Sequence, residues 1–191
     1  MGGRGSWSRT YENEMMIGGG AQSTGRDIQD LNARYNPGGR YVSPAITASH
    51  AEKIITQNNY ETGIIIDART GDVIAAYKGG KSSVGFSDPI KGTDDYGKLA
   101  GNIMTHNHPS GSAVFSNADL SVSAYYGVKE VRAATKNNGT AVLTKNNQHS
   151  DMTGLAAAYS VYISSGVSVK DAQNWLRSNS SKYGCTFKIE R

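Results

Sequence analysis

Two short runs, GIII at residues 63–66 and VIAAY at 73–77, lie on either side of ARTGD. β-branched and aromatic residues favour a pleated strand, and Thr-Gly-Asp between them reverses the chain. Residues 61–80 are therefore expected to form a β-hairpin. Two strands alone are marginal in water, so the hairpin must cover a face with something else. The neighbouring segments supply partners. SPAITASHAEKIITQNN, from Ser43, carries Ala48, Ala51, Ile54 and Ile55 near helical spacing. NIMTHNH reads as a strand that enters a loop at Pro109, and SNADLSVSAYYGV as a helix that starts at Ser116. EVRAAT and GTAVLTK read as two strands around an Asn137-Asn138-Gly139 turn. MTGLAAAYSVYISS and SVKDAQNWLRSNS read as helices, the second capped by Ser168 and Asp171, and CTFKIE as a last strand. Helix, hairpin, strand, helix, two strands, two helices, strand is a mixed α+β order without internal repeats.

The flanks differ in character. MGGRGSWSRT, MMIGGGAQSTG and YNPGGRYVSP are rich in glycine and turn formers, so residues 1–45 are expected as a flexible arm holding one short helix over RDIQDLNARY. Residues 46–147 are expected as the main domain and 148–191 as a C-terminal helical extension. KSSVGFSDPIKGTDDYGK, 81–98, is a polar loop long enough to suggest a functional or mobile element.

Charge and cysteine content narrow the function classes. The formal net charge is +4 with a pI of about 9.1. That permits contact with nucleic acid but does not argue for it, because no dense Lys/Arg run or base-stacking motif is present. Cys185 is the single cysteine, so no intramolecular disulfide can form and a reducing, cytoplasmic setting is the expectation. No apolar run reaches the ~18 residues of a membrane span, and the first 25 residues lack a secretory apolar stretch. Cys185 reads as a core residue or unpaired thiol, and His50 and His149 as ordinary polar residues.

Chemistry concentrates in THNHPSGSAVFSNAD, residues 105–119. His106 and His108 are two apart, so on a strand both imidazoles point to one face and can share a metal. Asp119 is a candidate third ligand, which leaves a fourth position for water as in catalytic zinc sites. Each half has a plainer explanation. A His-x-His pair alone is commonly a surface loop. Ser116 and Asp119 alone make a helix capping box.

The whole pattern is more specific than its halves. His106-x-His108, seven residues, Ser116, two residues and Asp119 resembles the JAMM motif of the JAB/MPN metallopeptidases. Pro109, Ser110 and Gly111 make HNHPSG, followed by four residues and Ser-x-x-Asp, which is similar to the RadC-like, prokaryotic JAB branch. The resemblance covers about residues 50–145. It implies a curved mixed β-sheet flanked by helices, with zinc at one edge. It also implies an upstream catalytic glutamate at the start of the first core strand, a position that Glu61 matches. Glu52 is the runner-up, set back in the preceding helix, and Glu130 lies on the wrong side of the motif.

The activity the resemblance implies is zinc-dependent hydrolysis of a peptide or isopeptide bond, with a ubiquitin-like tail among the implied substrates. Zn2+ would be held by His106, His108 and Asp119, Glu61 would act as general base, and the Ser116 hydroxyl would stabilise the oxyanion. Two other readings stand beside it. One is a nucleic-acid-associated protein of the RadC-like kind; the other is a catalytically silent JAB scaffold, against which the complete motif argues.

Overall fold

The computed structural model describes residues 25–36, 38, 42–88 and 93–191. The elements run α1 (Gly25–Tyr35), α2 (Pro44–Ile55), β1 (Thr62–Ile66), β2 (Val73–Lys78), β3 (Ser87–Asp88) and β4 (Thr93–Asp94). They continue with a 3-10 turn (Tyr96–Leu99), β5 (Ile103–Asn107), α3 (Asn117–Tyr125), β6 (Glu130–Ala134) and β7 (Thr140–Lys145). Last come α4 (Met152–Ile163), α5 (Val169–Asn179), a second 3-10 turn (Ser180–Tyr183) and β8 (Cys185–Glu190). The expected hairpin is β1–β2, and the α+β order is the one read from the sequence.

Six strands form one mixed sheet in the order β2-β1-β5-β6-β7-β8. Only β5 and β6 run parallel. A parallel pair needs a crossover, and α3 supplies it. The register sorts side chains cleanly by face. Ala75, Ile65, Met104, Val131, Leu143 and Phe187 form one row across all six strands. They pack under α3, α4 and α5 through Leu120, Leu155, Tyr159 and Leu176. On the other face, Ile64, Ile66, Val73, Ala76 and Ile103 pack under α1 and α2 through Leu31, Tyr35, Ala48, Ala51 and Ile55.

That second face is polar farther along the sheet. Arg132 is 1% exposed and bonds Glu52 of α2 through Nε at 2.6 Å and Nη2 at 3.3 Å. It also reaches Glu130 at 2.9 Å and Glu190 of β8. Thr105 and Thr140 donate to Glu52 at 2.9 and 3.2 Å, so the buried carboxylate is fully engaged.

Both flanks of the expected main domain pack against it. The helix α1, expected as a short helix within the arm, packs through Leu31 and Tyr35, which are buried, and through two asparagines that supply partners to backbone groups. Asn32 accepts from the Val73 N–H at 2.9 Å and donates to its carbonyl at 3.0 Å, and Asn36 donates to the Gly71 carbonyl at 3.2 Å. The Gly/Ser-rich part of the arm, 1–24, lies outside the described residues. The 148–191 segment shares its core with the main domain: β8 pairs along β7, and Met152, Leu155, Tyr159 and Leu176 join the same buried cluster as Ile65 and Met104.

Loop 81–98 turns back on itself through the short β3–β4 ribbon and buries Phe86; residues 89–92 lie outside the described set. Among the described residues, no helix is long and apolar enough to cross a membrane.

Candidate metal centre

Strand β5 delivers the histidines. His106 pairs with Gly63 of β1 and Ala133 of β6, and alternation puts its ring on the α3 side of the sheet. His108 follows on the same face, with its N–H bonded to the Ala134 carbonyl at 2.8 Å. The chain then turns through Gly111, whose φ of 80° suits glycine. It reaches Ser116, the N-cap of α3.

The cap and the candidate ligand set are one structure. Ser116 Oγ accepts from the Asp119 N–H at 3.2 Å, and Asp119 Oδ2 accepts from the Ser116 N–H at 2.7 Å. The capping box is therefore present, and it holds the carboxylate with Oδ1 toward His106 while the capped Oδ2 also faces His108. Asp119 Oδ1 lies 3.2 Å from His106 Nε2, and Oδ2 lies 3.5 Å from His108 Nε2. The two Nε2 atoms are 2.9 Å apart. Possible ligand atoms of His106, His108 and Asp119 all fall within 4.8 Å of one another. Two nitrogens on a tetrahedral zinc at ~2.0–2.1 Å would be separated by about 3.3 Å, so this donor set needs only a slight opening to take such an ion.

A tautomer argument supports the same fit. His108 Nδ1 lies 2.8 Å from the Ser112 carbonyl, which can only accept. The Nδ1 position therefore carries the proton and Nε2 keeps its lone pair facing His106 and Asp119.

The electrostatics are those of a compact acid–imidazole cluster. Burial alone would raise the Asp119 carboxyl, but the His106 and His108 imidazoles hold it well below the usual carboxylate range. Burial would lower His108, but its contact with Asp119 and the Ser112 carbonyl leaves it raised.

Glu61 lies two residues before Gly63, so alternation puts its side chain on the face of His106 and His108. It is 7% exposed. Burial pushes its carboxyl up, the two imidazoles pull it back, and Asp119 pushes it up again. All three candidate ligands thus act electrostatically on Glu61. Sequence reasoning missed the residue that holds Glu61 in place. Asn107, between the histidines but pointing to the opposite face, accepts from the Thr62 N–H at 2.7 Å and donates to the Tyr60 carbonyl at 3.0 Å. Its amide brackets Glu61 on both sides where the β1–β5 ladder ends. A buried asparagine in a strand, where that residue is disfavoured, was the available signal.

The remaining candidates lie elsewhere. Glu52 is committed to Arg132 on the far face of the sheet, and Glu130 joins the same pair. Cys185 is buried and burial pushes its thiol up, which suits a core residue. His50 and His149 do not join the ligand group.

One small opening adjoins the centre, and a larger groove runs past the loop that follows His108. A cavity of about 50 Å³ beside His106 and Asp119 is walled by Val84, Phe86 and Tyr96 from the 81–98 loop, with Met104 and Val122. A groove of about 830 Å³ runs past Gly111 and Ala113, between α2, the β6–β7 turn and α5. In comparisons with known proteins, no family model, no curated protein and no solved structure matches this chain.

Proposed function

We propose that the protein is a zinc-dependent metallopeptidase or isopeptidase that hydrolyses an amide bond in a polypeptide. The observation that carries this reading is the convergence of His106, His108 and Asp119 within 4.8 Å, with Glu61 on the same face of the sheet. A bound zinc would supply Lewis acidity and lower the pKa of water to about 7. The residues do the rest. Glu61, with its carboxyl raised by burial, takes a proton from the attacking water and returns it to the leaving amine. Ser116 Oγ accepts from the Asp119 N–H, which leaves its own proton to meet the developing oxyanion. His108, with Nδ1 tied to Ser112, keeps a fixed ring orientation. The likeness to the JAMM pattern supports the same reaction class and favours a lysine side chain or a main-chain nitrogen as leaving amine.

The test joins metal content to turnover. Purified protein is expected to hold about one zinc per chain and to cleave peptide- or isopeptide-linked substrates. The His106→Ala/His108→Ala double substitution is expected to remove both zinc and cleavage. Zinc content unchanged in that variant would end the proposal.

A further inference from the structure

Residues 111–115 connect His108 to the capping box and belong to no helix or strand. Their carbonyls are gripped from outside. Asn138 Nδ2, in the β6–β7 turn, donates to the Gly111 carbonyl at 2.8 Å. Gln173 Nε2, on α5, donates to the Ala113 carbonyl at 2.6 Å. The Tyr159 hydroxyl, on α4, donates to the Phe115 carbonyl at 2.9 Å. Ser112, in between, offers its carbonyl to His108 Nδ1. Alternate carbonyls therefore go to three distant elements, and the Ser112 carbonyl between the first two holds a candidate ligand.

We propose that Tyr159, Gln173 and Asn138 are positioning residues of the metal centre, so that α4 and α5 set how tightly His108 and Asp119 are held for a cation. The proposal rests on the metal reading of the site. Its physical basis is the shortness of the path. Phe115 directly precedes Ser116, whose N–H fixes Asp119 Oδ2. Ala113 directly follows Ser112, whose carbonyl fixes the His108 tautomer and ring. A loop freed at either carbonyl lets a candidate ligand drift, and a ligand that must be ordered on binding weakens affinity. The plainer role for the same bonds is satisfaction of carbonyls on buried residues, since Ala113 and Phe115 are both buried. That role predicts a loss of stability with no change in metal affinity.

The experiment uses the full chain and reads zinc affinity by competition with a chelator, alongside thermal unfolding of the metal-free protein. Tyr159→Phe keeps the ring that packs 5.7 Å from Trp175, and Gln173→Met keeps the side-chain length. Ser150→Ala is the control, because it removes a bond of the same kind, to the Gly184 carbonyl at 2.6 Å, outside the loop. Tyr159→Phe and Gln173→Met are each expected to weaken zinc about 10–100-fold, while Ser150→Ala leaves affinity unchanged. With cobalt in place of zinc, the visible absorption bands are expected to change in the same two variants and not in the control. If Tyr159→Phe does not fold, Gln173→Met and the exposed Asn138→Ser carry the comparison. Variants that bind zinc within about twofold of the parent, with an unchanged cobalt spectrum, would overturn the proposal. A parent chain that takes up no zinc would instead remove the metal reading, and this proposal with it.

Discussion

Ser116 tests whether a helix cap and a catalytic donor are the same hydroxyl. Its Oγ makes one box bond, to the Asp119 N–H, at a long 3.2 Å on an exposed residue. The reciprocal bond, from the Ser116 N–H to the Asp119 Oδ2 at 2.7 Å, uses only the backbone of Ser116 and survives its substitution. Ser116→Ala should therefore cost near the low end of the range for a lost cap, about 0.5–1 kcal/mol. In a domain of this size that is a fall of about 1–4 °C in Tm. Loss of an oxyanion donor should lower turnover by about 10²–10³, or ~2.7–4 kcal/mol of barrier. Ser116→Gly separates the two, because glycine at an N-cap costs only a few tenths of a kcal/mol. The expected result is a Gly variant nearly as stable as the parent yet as inactive as Ser116→Ala, measured as turnover per bound zinc. A Gly variant with near-parental turnover would make Ser116 a cap and nothing more.

Further outcomes follow from the same geometry. Glu61→Gln should keep zinc and fold but lose nearly all hydrolysis, since an amide cannot take the water's proton; an active Glu61→Gln variant would refute the assignment. Zinc affinity should decline on acidification, because the His108 pKa is raised above 6.5 in the metal-free protein and protons compete for its Nε2. An affinity that is flat from about pH 8 to about pH 6 would contradict this. Leu31→Ala should destabilise the protein by about 2–3 kcal/mol in chemical denaturation, because Leu31 is buried against the sheet. An effect within experimental scatter would return residues 25–36 to the status of an arm.

What the sequence revealed and what it hid have separate physical causes. Strand and helix identities were legible because period-2 and period-3.6 runs are local. The metal ligands were legible because His106, His108, Ser116 and Asp119 lie within one strand–loop–helix connection. Glu61 could be named only through family likeness; its face became derivable once the Gly63–His106 pairing was known. The docking of α1 was hidden because Asn32 and Asn36, polar residues that suggest solvent, bond backbone groups of β2 and the preceding turn. The role of 148–191 was hidden because an apolar helix stripe does not say which sheet face it covers. Asn107 was overlooked because its contacts are to the backbone of a strand 45 residues earlier.

The buried arginine bears on how the strands find their alignment. Arg132 sits beside Thr105 in the parallel β5–β6 pair, one residue from the His106–Ala133 match. If β6 slipped by one residue, every β6 side chain would change sides. The guanidinium would then emerge among the imidazoles, and Glu52 would lose its cation inside the far core. Stranding one partner of a buried pair costs about 3–5 kcal/mol, a sizeable fraction of the ~5–15 kcal/mol that holds a typical domain folded. A slipped sheet would still bury much apolar surface, so hydrophobicity alone discriminates weakly against it. Arg132 makes that misfolded competitor expensive, and a charge that never touches the cleft thereby guards the alignment on which the cleft depends.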